Sequence, residues 1–162
     1  MDWHTLNEEF FEYSRELLNS VDTILFGRVT YKMMELFWPN TTEADAVITH
    51  KMNHLNKIVF TKTLKMLSWN NSEIAKGDLE EEVAKLKNKP GKDMVIFGSG
   101  TIVSELTRLG LIDEYRLIVN PVILGKGNTL FKGLHDKINL KLLKVKTLDS
   151  GVVLLYYTRD SK

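Results

Sequence analysis

A chain of 162 residues, 43% of them apolar, suits one domain with helices layered on a sheet and leaves little room for a second. A formal net charge of +1 gives no strong pull toward nucleic acid or anionic lipid, and the absence of cysteine removes disulfides, thiolate catalysis and iron–sulfur clusters together. No apolar run approaches membrane-spanning length, and the opening Met1-Asp2-Trp3-His4 has no basic segment followed by a hydrophobic stretch, so a cytoplasmic protein is expected.

Leu6, Phe10, Tyr13, Leu17 and Val21 recur at helical spacing and predict an opening helix. Thr23-Ile24-Leu25-Phe26 is a short apolar run ending at Gly27, the pattern of a buried strand. The segment from Arg28 to Phe37 then reads as a helix with Val29, Met33, Leu36 and Phe37 inward, stopped by Pro39. A weaker helix is expected over Ala44 to Leu55, a second strand at Lys57-Ile58-Val59-Phe60, and a third at Leu67-Ser68-Trp69. Asp78 with Glu81 matches a capping box, and Leu79, Val83 and Leu86 give the following helix an inward face that ends at Pro90-Gly91. The clearest buried strand is Asp93 to Phe97. Gly98-Ser99-Gly100 follows it, then a helix carrying Ile102, Val103, Leu106 and Leu109 and closed by Gly110.

The last third is β-rich: Glu114 to Val119, Leu140 to Thr147 and Val152 to Tyr157, the last two joined by an Asp149-Ser150-Gly151 turn as an antiparallel hairpin. Strand–helix units first and a hairpin last predict a three-layer α/β fold with a mixed, mostly parallel sheet.

The chemistry-bearing signal is repeated at three strand ends. Gly27-Arg28-Val29-Thr30 pairs a glycine turn with a helix start, whose free N–H groups and dipole favour an anion; Arg28 adds a planar cation and Thr30 a hydroxyl. Gly98-Ser99-Gly100-Thr101 repeats the strand–glycine–helix pattern and lets a pyrophosphate approach the main chain. Between them Thr61-Lys62-Thr63 offers hydroxyls and a cation where NAD-binding folds place a ribose-binding carboxylate, so a 2′-phosphate and hence NADPH are favoured over NAD. The alternatives at each place are ordinary: a tight turn, a surface ion pair for Arg28, a solvated charge for Lys62. His50 and His54 have metal-ligand spacing on a helix, but Lys51 stands where a zinc protease has its glutamate and no third ligand is evident, so no metal is expected. Trp38, just before Pro39, is the tryptophan best placed to stack on a ligand ring.

Leu25-Phe26-Gly27-Arg28-Val29-Thr30-Tyr31 resembles the Gly-Arg-x-Thr-aromatic motif of dihydrofolate reductases, and Val95 to Ile102 resembles that family's glycine pair before its cofactor helix. Leu111 to Tyr115 and Asn120 to Gly127 are closer to one branch, the reductase domain of bacterial riboflavin biosynthesis and its small stand-alone relatives. The resemblance covers residues 20–158. It implies NADPH-dependent hydride transfer to a pterin-like, ribosylamino-pyrimidine-like or other small carbonyl acceptor. Gly27, Arg28 and Thr30 would hold phosphates, and Thr61 and Lys62 the 2′-phosphate. Gly98, Ser99, Gly100, Thr101 and Ile102 would line the pyrophosphate and ribose, and Gly125, Lys126 and Gly127 a loop by the nicotinamide or substrate. The family's opening strand and Ser-Leu-Asp-Gly-like loop are not displayed, which predicts a sheet lacking a central strand. Glu8, Glu9 and Glu12 lie where a proton donor is sought, with no spacing that singles one out, so no catalytic residue is assigned. A homodimer is expected from the β-rich final third. The alternative is a non-catalytic nucleotide-binding or oligomeric protein of the same fold.

Overall fold

The computed structural model describes residues 4–160, so Met1-Asp2-Trp3, where no leader is expected, lies outside the described residues. Helix α1 (Glu8–Ser20) is capped by Asn7, whose side chain accepts from the Phe10 N–H at 3.0 Å, and it passes without a loop into β1 (Val21–Gly27). Helices α2 (Arg28–Phe37) and α3 (Ala46–His54) lead to β2 (Asn56–Phe60) and β3 (Ser72–Ile74). Then come α4 (Leu79–Lys87), β4 (Asp93–Ile96) and α5 (Gly100–Arg108). These four strands form a parallel sheet in the order β3-β2-β1-β4. Ile24, Leu25 and Phe26 of β1 are all buried, because helices cover both faces of a parallel sheet. On one face Leu18, Tyr31, Ile48 and Met52 of α1, α2 and α3 pack on Ile24, Phe26 and Val59. On the other, Val83, Ile102 and Leu106 of α4 and α5 pack on Leu25 and Ile58.

The final strands, β5 (Tyr115–Val119), β6 (Leu140–Thr147) and β7 (Val153–Arg159), form a separate antiparallel sheet in the order β5-β7-β6. The expected hairpin is present, with Leu148 N–H bonded to Val152 O at 2.8 Å across a turn that holds Gly151 at φ 84°. Both sheets sit between the same helices. Tyr13 of α1 packs on Leu148, Val152 and Leu154, and Tyr115 of β5 donates to Thr107 Oγ1 of α5 at 3.2 Å. The α/β class and three layers are as expected, but the mixed sheet is divided. Among the described residues nothing pairs with the second edge of β4 or of β5, where the resemblance implies a central strand. The segment before α1 reaches this region through Thr5 N–H to Asn120 Oδ1 at 3.2 Å.

Two local expectations are corrected. The third strand falls at Ser72–Ile74 and not at Leu67-Ser68-Trp69, because Trp69 is drawn into the core against Phe26 and Tyr31. Helix α2 is also turned the other way. Tyr31 and Glu35 are buried, while Val29, Met33, Leu36 and Phe37 are exposed, Leu36 by 75%. A buried carboxylate is tolerable here because it is saturated with donors: Glu35 accepts from Tyr31 Oη at 3.0 Å, Lys32 Nζ at 2.6 Å, Ser68 N–H at 3.0 Å and Ser68 Oγ at 2.6 Å. Burial pushes its carboxyl up, but the hydrogen bonds from Lys32, Ser68 and Tyr31 outweigh that and hold it down at about 2.

Candidate functional site

The parallel pairing decides where the three strand ends lie. Register places Gly27 opposite Phe60 and Leu25 opposite Ile96, so the turns after β1, β2 and β4 open on one rim, the carboxyl ends of the strands. Gly27, Arg28, Thr30, Thr61, Lys62 and the segment Gly98 to Ile102 are therefore brought to one side of the molecule.

The turns after β1 and β4 interlock. Gly27 N–H donates to Ser99 Oγ at 2.8 Å, and a Cβ on Gly27 would come within 2.7 Å of that oxygen. Ser99 is 4% exposed, and its side chain ties β1 to the start of α5; Ile102, at 6%, likewise packs inward beneath Gly27. Gly98 holds φ 56° with nothing within 4 Å of a would-be Cβ, an open left-handed turn suited to glycine.

Helix starts differ in a telling way. α1, α3 and α4 are capped by the side chains of Asn7, Asp45 and Asp78. α2 and α5 begin at the glycine turns with no side-chain cap. In α5 the ladder begins with Val103 N–H to Ser99 O at 2.9 Å, which leaves the N–H groups of Gly100, Thr101 and Ile102 without helical acceptors. Two uncapped starts on one rim concentrate amide donors and positive dipole ends where an anion would sit. Arg28 and Lys62 reinforce this. Both are exposed and make no hydrogen bond or ion pair among the described residues. Thr61 Oγ1 accepts from Thr63 N–H at 3.2 Å and Leu64 N–H at 3.1 Å, which fixes the turn beside Lys62 and leaves its own proton free to donate.

The Gly125-Lys126-Gly127 loop is fully exposed, with Gly125 at φ 72°. Its continuation is held on α5: Lys132 N–H donates to the buried Ser104 Oγ at 2.8 Å, and that hydroxyl donates to Leu130 O at 3.2 Å. The carbonyls of Thr129 and Leu130 thereby lie 3.9 and 3.4 Å from a would-be Cβ on Gly100, so the loop borders the uncapped helix start. Ser104 is missed from sequence because it sits on the inward stripe of α5 and looks like an interruption of it. Trp38 does not join the rim. It ends α2, and its carbonyl accepts from Asn53 Nδ2 at 3.1 Å just before the start of β2, at the opposite end of the sheet. His50 and His54, both exposed, stack at 3.9 Å on α3, and no group of three metal-binding side chains exists among the described residues. A cleft of about 520 Å³ also lies at the opposite end, lined by Asp22, Lys57, Trp69, Glu73 and Lys92. Both of these lysines are already engaged: Lys57 Nζ donates to the carbonyls of Asn53, Leu55 and Asn70 at 3.2, 2.7 and 3.1 Å, and Lys92 Nζ to the carbonyl of Asn19 at 2.8 Å.

The split α/β architecture with glycine turns on the carboxyl rim defines a dihydrofolate-reductase-like fold. Dihydrofolate reductase from Enterococcus faecalis, solved with NADP(H), superposes with TM-score 0.64 at 15% identity, over 99% of this chain and 86% of that one. Within that class the chain belongs to the RibD C-terminal domain family, whose profile matches residues 3–154. A putative riboflavin biosynthesis protein from Shewanella sp. PV-4 is similar with TM-score 0.76 and 21% identity, over 99% of this chain and 88% of that one. A diaminohydroxyphosphoribosylaminopyrimidine deaminase/5-amino-6-(5-phosphoribosylamino)uracil reductase from Thermotoga maritima gives TM-score 0.67 and 17% identity, over 98% of this chain and 50% of that one. In sequence the chain is 35% identical to the uncharacterized protein YyaP of Bacillus subtilis (strain 168) over 144 residues, 88% of this chain and 76% of the relative. No helix among the described residues is long and apolar enough to cross a membrane.

Proposed function

We propose that this protein is a cytoplasmic NADPH-dependent reductase acting on a small heterocyclic or carbonyl acceptor, pterin-like or ribosylamino-pyrimidine-like. The observation that carries the reading is the convergence of two uncapped helix starts and two unpaired cations on one strand rim. The residues fit the cofactor. Amides of α2 and α5, with Arg28 and Thr30, would hold the pyrophosphate; Thr61 and Lys62 would hold the 2′-phosphate; Gly98 and Gly100 keep the approach clear. Bound NADPH would supply the hydride. The exposed stripe of α2, from Val29 and Met33 downward, offers an apolar wall beside Arg28 for a flat acceptor ring. Gly125, Lys126 and Gly127 border the same side.

The rival reading, a nucleotide-binding protein without turnover, draws on the proton donor. Glu8 is ion-paired with Arg15 and Glu9 accepts from the Asp149 N–H at 2.7 Å, which leaves Glu12 as the one of the three without a partner among the described residues.

Nicotinamide fluorescence separates the readings. NADPH is expected to bind more tightly than NADH, and nicotinamide absorbance to fall when dihydrofolate or the ribosylamino-pyrimidine is added. Arg28→Ala should weaken NADPH binding by about 1.5–3 kcal/mol, the range for a charged hydrogen bond. Lys62→Ala should narrow the preference for NADPH over NADH. Unchanged affinity and an unchanged ratio would remove the phosphate roles, and tight binding with no acceptor reduced would leave the rival.

A further inference from the structure

We infer that Ser104 is a positioning residue of the proposed reductase site. Its buried hydroxyl fixes the Gly125-Lys126-Gly127 loop beside the open start of α5, and so sets Lys126 as a further cation for the part of the cofactor that NADPH and NADH share. The inference rests on the cofactor reading of the rim. Ser104 is 6% exposed and lies with Ile102, Val103 and Leu106 among the buried residues of α5. A hydroxyl buried there is costly unless it is bonded, and alanine would suit both the stripe and the helix better. A helical serine can satisfy itself on the carbonyl four residues back, as Ser14 of α1 does on Phe10 O at 2.8 Å. Ser104 does not. Both of its bonds leave the helix for one loop, accepting from Lys132 N–H at 2.8 Å and donating to Leu130 O at 3.2 Å.

The loop has little else to place it. Every residue from Pro121 to Leu130 is exposed, and residues 123–129 make no hydrogen bond among the described residues. A would-be Cβ on Gly125 or Gly127 meets nothing within 4 Å. The two ends are fastened. At one, Val122 N–H donates to Asn120 O at 2.8 Å; at the other, Phe131 stands edge-on to Tyr115 with ring centroids 6.0 Å apart, between the two residues that Ser104 holds. The second fastening is the one at the rim, since the carbonyls of Thr129 and Leu130 lie against Gly100. Lys126, three residues before Thr129, is exposed and has no carboxylate partner among the described residues. The N–H groups of Gly100, Thr101 and Ile102 have no helical acceptor beside it. Amides from a helix start and an ammonium from a neighbouring loop together favour a pyrophosphate. That group belongs to NADPH and NADH alike, unlike the 2′-phosphate assigned to Lys62.

Nicotinamide fluorescence titrations of the full chain with NADPH and with NADH test this. Ser104→Ala and Lys126→Ala should each weaken both cofactors by about tenfold, the scale of one charged hydrogen bond, and leave their ratio unchanged. The double variant should bind no more weakly than Lys126→Ala, because a displaced loop has already withdrawn the lysine. Ser14→Ala, which loses a hydroxyl bond inside α1, should bind as the parent does. A second readout needs no substitution. Bound NADPH should slow tryptic cleavage after Lys126 in the parent, followed by mass spectrometry of the fragment ending there, and Ser104→Ala should lose that protection. Affinity of Ser104→Ala equal to the parent's, equal damage by Ser14→Ala, costs that multiply in the double variant, or parent cleavage indifferent to NADPH would overturn the proposal while Arg28→Ala and Lys62→Ala keep their expected effects. If those two variants bind as the parent does, the phosphate reading of the rim falls and the proposal falls with it.

Discussion

A methyl group at Gly27 tests how tightly the rim is built. It would sit 2.7 Å from Ser99 Oγ and 3.2 Å from Ile102 Cγ1, inside the contact that lets α5 close on β1. Gly27→Ala should turn the Ser99 hydroxyl away and leave the Gly27 N–H without its acceptor, at a cost of about 1–3 kcal/mol. Thermal unfolding of Gly27→Ala, Ser99→Ala and the double variant checks this. The two single costs should not add, because each breaks the same hydrogen bond; full additivity, or a neutral Gly27→Ala, would show that the turns are not interlocked. At this scale the sequence is informative about backbone and silent about side-chain direction. A glycine at the end of an apolar run marks Gly27 and Gly98 directly, since only the main chain is at issue. Ser99, between two glycines, lies outside any periodic pattern, and nothing in its neighbours reveals that its hydroxyl turns inward to serve β1.

At the scale of elements, periodicity finds a helix but not the side it buries. In α2 the aliphatic stripe predicts Val29 and Leu36 inward, and the structure buries Glu35 because four hydrogen-bond donors from α2 and the loop after β2 converge on it. Two of those donors, the Ser68 N–H and hydroxyl, come from 33 residues further along the chain, so the local pattern cannot register them. The junction of α3 with β2 hides a similar case. Lys57 opens an apolar strand run and is 0% exposed, with its ammonium on three carbonyls and 4.5 Å from the centre of the Trp69 ring. Burial pushes that ammonium down to about 8, which still leaves it charged at neutral pH. Lys57→Met keeps most of the stem volume but strands three carbonyls, Asn53, Leu55 and Asn70, in a buried setting. Denaturant unfolding should report a loss of about 2–4 kcal/mol, with the earliest amide exchange at the end of α3. A variant as stable as the parent would mean that the cation contributes packing alone.

For the whole molecule, alternating strand–helix units and a terminal hairpin were enough to give the α/β class, the layers and the common rim. The division into two sheets was not, because pairing between distant strands leaves no local trace; it entered only through the resemblance. What holds the first sheet to its helices also sets its response to acid. The folded carboxyl of Glu35 titrates at about 2 against an ordinary value of 4.5. Between these values the unfolded chain binds the proton more tightly, so stability falls as the pH falls. The contribution is therefore complete above pH 4.5, declines through the interval and is gone below pH 2, and the shift is worth roughly 3 kcal/mol. Asp45, held low by the Ile48 N–H and by Arg15 of α1, acts in the same direction. Glu35→Gln should lower the unfolding midpoint at pH 7 and converge on the parent as the pH approaches 2, so that the acid limb of its stability curve is flatter. A gap between the two proteins that stays constant from pH 7 to pH 2 would mean that the ionised form of Glu35 is not what fastens α2 to the loop carrying Ser68 and Trp69.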